Sequence, residues 1–167
     1  FSQANQPKPA SENAAPNAQS QDLPMEFPAA EEIEAAFSPD GLVGSLYNDF
    51  EPRDEQVVMA KEVLKAFSTS TNLVVEAGTG VGKSMAYLLP SALGALRSGS
   101  RIGVATKTNA LLDQIVYKEL PLLKSTLADA GVGDLSYVAL KGFSHYPCMR
   151  KVSHIVSDGA RMVNVTG

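Results

Sequence analysis

The sequence predicts an α/β fold, a parallel sheet with flanking helices, incomplete and preceded by a disordered N-terminal arm. Three observations predict it. Short apolar runs at 72–76, 101–106 and 135–140 alternate with helical patterns at 83–97 and 109–124. Strand, helix, strand, helix, strand requires parallel strands joined by right-handed crossovers. A run of small residues and glycines, 77–82, joins the first strand to its helix. In such sheets ligands sit at the carboxyl ends of the strands, which is where this turn falls.

The elements follow in chain order. Residues 1–24 are rich in Gln, Asn, Ala, Ser and Pro and nearly free of large apolar side chains. Such a segment cannot bury enough surface to offset the entropy of ordering, so it reads as a disordered linker or tail. An acidic helical stretch, 29–37, ends at the turn Ser38, Pro39, Asp40, Gly41. Leu42, Leu46, Tyr47 and Phe50 are expected to pack on the body. Asp54 is expected to cap a helix that carries Val57, Ala60, Val63, Leu64 and Phe67 on one face, with Pro52 just outside its start. The helix over 83–97 should kink at Pro90 and stop at Ser98 and Gly99. The helix over 109–124 should bend or end near Pro121. A loop spans 129–133, and a short helix spans 149–156.

Composition bounds the classes. The chain has 167 residues, 44% hydrophobic and 19% charged, which fits about one globular domain. The single cysteine, Cys148, excludes an internal disulfide framework and fits a reducing cytoplasm. The N-terminus has no basic and apolar signal pattern. The longest apolar run, 85–96, is too short to span a bilayer and holds Pro90. A soluble cytoplasmic chain is expected. Residues 1–50 hold eight acids and one base, residues 51–167 ten acids and thirteen bases. An acidic arm on a mildly basic body leaves a polyanionic partner open. The chain starts at Phe1 and ends at Gly167 without a recognisable closing element, so a piece of a longer protein is expected.

The candidate site is Ala77, Gly78, Thr79, Gly80, Val81, Gly82, Lys83 and Ser84. A strand, a glycine turn and a helix opening at Lys-Ser are the ingredients of a phosphate-binding loop. Glycines let the backbone curl so that successive N–H groups face an anion, and the helix start adds partial positive charge. Ala77 stands where the first glycine of the motif is usual. Lys83 would neutralise the β- and γ-phosphates and Ser84 would ligate Mg²⁺; these two are the catalytic candidates. The ligand expected is a nucleotide.

Three further constellations narrow the class. Gln56 lies one helix before the loop, within the run Phe50, Glu51, Pro52, Arg53, Asp54, Glu55, Gln56. Its amide offers a donor and an acceptor side by side, matching N6 and N7 of adenine. At this point the chain resembles superfamily-2 helicases, in which a glutamine upstream of the phosphate loop reads adenine; Phe50 or Arg53 would flank the base. Thr106, Thr108, Leu111 and Gln114 form a T-x-T-x-x-L-x-x-Q pattern. It resembles motif Ia of the DinG/XPD-like DNA helicases, where such hydroxyls hold phosphates of single-stranded DNA. Capping of the helix by Thr106 and Thr108 is compatible with that role. Lys141, Gly142, Tyr146 and Cys148 are similar to the stretch that leads into the iron–sulfur domain of that family, with Phe143 and His145 departing from it.

The resemblance runs from Phe50 to Cys148. It implies an ATP-dependent DNA helicase acting in repair or replication, with ATP and Mg²⁺ as cofactors and single-stranded or forked DNA as partner. It also implies a 4Fe-4S cluster in the longer protein, with Cys148 as one of its four thiolate ligands, whereas the residues alone make Cys148 a free thiol. His145 and His154 are too isolated to argue as ligands. An N-terminal nuclease in the same chain is compatible with the arm, and no membrane is involved. The implied divisions are 1–28, linker or tail; 29–50, helical lead-in; 51–141, partial RecA-like ATP-binding domain; and 142–167, start of an iron–sulfur insertion. The family's Asp–Glu motif and its second motor domain with the arginine finger do not occur within 1–167, so the chain alone should hydrolyse little ATP. Two other readings stay open: another motor such as an RNA helicase, and a non-catalytic nucleotide-binding or scaffold module.

Overall fold

The computed structural model describes residues 26–78, 80 and 82–157. The predicted disordered arm up to residue 25, Thr79, Val81 and residues 158–167 lie outside the described residues. Helix α1 spans Ala30–Ala36, with Glu31 and Glu32 in its first turn, where acids complement the helix dipole. It ends at the predicted turn, where the Ser38 hydroxyl donates to the Ala35 carbonyl at 2.8 Å. A 3-10 turn, Gly44–Leu46, follows. Helix α2 spans Asp54–Ser68. Its N-cap is Arg53, with no side-chain cap, so Asp54 acts as a first-turn acid and not as the expected cap.

Helix α3, Lys83–Ser98, runs unbroken through Pro90 and stops at Gly99, which holds a left-handed φ of 62°. Helix α4, Asn109–Gln114, continues as a π-helical turn, Ile115–Glu119, into α5, Leu120–Asp129. The irregularity expected near Pro121 therefore falls in the turn before it. Pro121 has no N–H, and its ring crowds the carbonyl four residues back, at Tyr117; the wider π turn relieves that crowding. Helix α6 spans Met149–Ser157.

The core forms where α1, α2, α3 and α5 meet. Ile33, Leu89, Leu93, Leu123 and Leu127 are fully buried there, with Phe37 at 1% exposure. On α2, Ala60 and Leu64 are buried and Val57 packs against the cluster, three of the five residues of the face read from periodicity; Val63 and Phe67 lie outside it. Leu42, Leu46 and Phe50 pack on it as expected. Phe27 stacks on Phe67 at 5.6 Å between ring centroids. Gly94 admits that ring: a Cβ there would fall 2.7 Å from the Phe27 edge. Glu32 and Glu34 of α1 pair with Arg97 of α3 and Lys61 of α2, surface pairs worth about 0–1 kcal/mol each.

The predicted parallel sheet is not formed. Among the described residues there is no strand, and the segments 72–76, 101–106 and 135–140 carry no ladder. Val74 is 98% exposed, Val138 83% and Leu140 81%. The reason is physical. A helix closes its backbone hydrogen bonds within its own segment, whereas a strand needs a partner segment in register. Apolar runs identify residues suited to a sheet but do not supply that partner. No helix among the described residues is long and apolar enough to cross a membrane.

Candidate functional site

The packing of α2 against α3 brings two helix starts together and places the glycine loop between them. Lys83, the first residue of α3, reaches back across the loop, and its ammonium donates to the carbonyls of Ala77 at 2.9 Å and Gly78 at 2.7 Å. Gln56, buried in the first turn of α2, donates its amide to the Gly82 carbonyl at 2.8 Å. The Arg53 guanidinium donates to the Gly80 carbonyl. Three donors, two from the start of α2 and one from the start of α3, thus converge on one loop. Gly80 and Gly82 hold φ of 84° and 77°, a region that costs other residues roughly 1–2 kcal/mol.

Around this loop lies a cavity of about 510 Å³, within the range of small-molecule sites. Arg53, Gln56, Gly80, Gly82, Lys83 and Ser84 line it, together with Tyr47, Asp49, Phe50 and Glu51 and with Gln114 and Glu119 from the helical run 109–129. The Tyr47 and Phe50 rings stack at 6.3 Å. Burial raises the Tyr87 phenol's pKa; the neighbouring Ser84 hydroxyl works against this and the Glu119 carboxylate adds to the rise. Burial and then Glu119 also raise the Tyr47 phenol. Of the predicted site residues, Arg53, Gln56, Gly80, Gly82, Lys83 and Ser84 are gathered at the cavity, and Ala77 and Gly78 join through Lys83; Thr79 and Val81 lie outside the described residues.

Gly82 carries a prediction. An added Cβ would lie 2.3 Å from Gln56 Nε2. Gly82→Ala should therefore push the Gln56 amide away and lower stability by about 1–2 kcal/mol, with weaker nucleotide binding. Denaturant melts and nucleotide titration check this; an unchanged variant would refute it.

Thr106 and Thr108 stand at the start of α4, away from the cavity. Thr108 caps the helix, accepting from the Leu111 amide at 3.3 Å, whereas Thr106 donates its hydroxyl to the Thr108 carbonyl at 3.1 Å. The segment after residue 140 is fastened to this helix. Asn109 Nδ2 lies 3.0 Å from His145 Nε2, and Lys141 Nζ lies 2.7 Å from Asp113 Oδ1. The second distance makes an ion pair, although its alignment falls short of a hydrogen bond at Oδ1. Pairing with Asp113 raises the Lys141 pKa. Cys148 is exposed and unpaired, and no cluster of three His, Cys, Asp or Glu suited to a metal occurs among the described residues.

Several cavity residues lie outside the sequence reading of the site, among them Tyr47, Asp49 and Glu119. Tyr47 was read only as packing. Glu119 was not read at all, yet the sequence holds a signal for it. Ile115, Glu119, Leu123 and Leu127 recur every fourth residue and are all buried, so a charged residue interrupts an apolar stripe.

Comparison with known proteins adds the lineage. Over 128 residues the chain is 35% identical to ATP-dependent DNA helicase YoaA of Haemophilus influenzae, covering 77% of this chain and 19% of that protein. It is 41% identical over 105 residues to ATP-dependent helicase DinG of Mycobacterium tuberculosis, covering 63% and 16%. It is 33% identical over 116 residues to a Bacillus subtilis protein named 3'-5' exonuclease DinG, covering 70% and 12%. The chain thus spans less than a fifth of the length of these relatives. No protein-family model and no solved structure matches it.

Proposed function

We propose, for a chain homologous to one segment of the DinG/YoaA ATP-dependent helicases, that the cavity is the ATP site of a DNA helicase. In full-length form the protein would couple ATP hydrolysis to movement along single-stranded DNA and to duplex opening, in repair or replication. The observation that carries the reading is the convergence of Lys83, Gln56 and Arg53 on one glycine loop at the mouth of a ligand-sized cavity. A triphosphate entering there would take over the Lys83 ammonium from the Ala77 and Gly78 carbonyls. Charge-assisted bonds of that kind are the stronger ones.

The roles follow from chemistry. Lys83 neutralises charge on the β- and γ-phosphates, and backbone amides across 79–82 cradle them. Arg53 and Gln56 bound the base end, with Tyr47 and Phe50 as its aromatic wall. Nucleotide-borne Mg²⁺ needs only one or two protein ligands, and the Ser84 hydroxyl in the first turn of α3 fits that role; the ion would neutralise developing charge. Thr106 and Thr108 are proposed to hold DNA phosphates, which positions a strand without reading its sequence. An iron–sulfur cluster needs four ligands. Cys148 alone does not fit one, so its proposed role as a ligand concerns the longer protein only. A nuclease domain ahead of the arm is likewise proposed, on the strength of the Bacillus subtilis name.

The expected result is that residues 1–167 bind ATP but turn it over very little, since phosphoryl transfer relies on further charge-stabilising groups. The full-length protein should show ATP hydrolysis stimulated by single-stranded DNA and duplex unwinding. DNA-stimulated turnover by the 167-residue chain would refute the first expectation. Stimulation of the full-length protein by RNA alone would favour an RNA helicase instead.

A further inference from the structure

Glu119 poses a chemical question that the phosphate-site reading leaves unanswered. It is 7% exposed yet lines the cavity. Its Oε1 accepts from Gln114 Nε2 at 2.5 Å, while Oε2 is buried and has no hydrogen-bond partner among the described residues. The backbone has been shaped to make this arrangement. Residues five apart on an α-helix point about 140° from each other. The π turn Ile115–Glu119 changes that winding and lets Gln114 and Glu119 face the same way. Single π turns recur at functional sites. A buried acceptor left unmatched costs about 1–3 kcal/mol, and more when charged, so the oxygen marks where a ligand donor is missing.

The donor can be identified by elimination. Triphosphate oxygens are anionic acceptors and would be repelled. The Gln56 amide donor is engaged by the Gly82 carbonyl, and Lys83 and Arg53 are engaged by the loop. What remains of a bound nucleotide near the Tyr47–Phe50 wall is the nucleoside end. Glu119 lines the same cavity as Tyr47 and Phe50. The nucleoside end offers two kinds of donor, the ribose hydroxyls and an exocyclic amine of the base; the stacked Tyr47 and Phe50 rings suit a base, which favours the amine.

We propose that Glu119, oriented by Gln114, is the acceptor for the 6-amino group of the purine, and so a determinant of adenine over 6-oxopurine nucleotides. Resting on the ATP-site reading, the proposal adds to Gln56 a second base-reading residue in the same cavity. A carboxylate attracts an N–H and repels a carbonyl oxygen at the same position. Sites built to pair a donor reject analogues that lack it.

The test is competition of ATP and inosine triphosphate, which differ at this group, for a fluorescent ATP analogue on the full chain. Wild type should prefer ATP by at least about tenfold. Glu119→Gln matches the side chain in size and can turn its amide to donate to a 6-oxo group, so the preference should collapse to within about threefold. An unchanged ratio in folded Glu119→Gln would overturn the proposal, as would an unchanged ratio with an altered Mg²⁺ requirement, which would give the carboxylate to the ion. Glu119→Leu extends the apolar stripe and guards against a folding artefact; it too should lose the preference. If Lys83→Ala abolishes ATP binding while Glu119→Gln leaves the ratio untouched, the ATP site stands and this inference falls. A wild-type chain that binds no triphosphate overturns both.

Discussion

Lys83→Ala should lower ATP affinity at least about a hundredfold, because it removes the ammonium that bonds to the carbonyls of the glycine loop. Thermal stability should change little. Lys83 sits at the first position of α3, and its ammonium makes two bonds to loop carbonyls, without packing in the core. Alanine is also the better helix former. Equilibrium titration with a fluorescent ATP analogue, beside a thermal melt, separates the two quantities. Wild-type affinity in a folded Lys83→Ala variant would remove the basis for the ATP site. In the full-length protein the same substitution divides a motor from a scaffold. A motor loses hydrolysis and unwinding together, whereas a non-catalytic module keeps its partner. Lys83→Arg keeps the charge but changes its shape, so it should recover only part of the affinity.

Leu89→Ala should cost about 2–5 kcal/mol of stability, the largest structural effect expected in the chain. Leu89 is fully buried midway along α3, in the cluster that includes Met85, Leu88 and Leu93. Truncation removes favourable burial and leaves a space that a helix packed on both sides cannot close. Val58, on the exposed face of α2 at 59% exposure, supplies the control, and Val58→Ala should stay within about 0.5 kcal/mol. Urea denaturation of both variants checks the contrast. Equal effects would mean that α2 and α3 do not form the core described above. Because α3 also begins at Lys83, Leu89→Ala should weaken ATP binding through loss of folded protein. Affinity should return to near wild type under conditions that restore folding.

The helices were legible because their signals are local. Glu31 and Glu32 open α1, the stripe of Val57, Ala60 and Leu64 marks α2, and Gly99 stops α3. The glycine loop was legible too, since glycine at positive φ and a Lys-Ser helix start leave a trace in the sequence itself. The sheet was misread. Residues 72–76, 101–106 and 135–140 have the composition of strands, but pairing is a property of two segments together, and no ladder joins these.

The sequence by itself determined the helical periodicities, the glycine loop and the identities of Lys83, Ser84 and Gln56. Each is a matter of residue type and short spacing. Only the tertiary structure decided that Arg53, Gln56 and Lys83 meet on one loop, because that depends on α2 packing against α3. It also decided that Glu119 lines the same cavity with Gln114 bonded to it, because the π turn Ile115–Glu119 brings the two side chains to one side. Local chemistry writes helices and loops into a sequence, whereas convergence of distant side chains is settled by how helices pack.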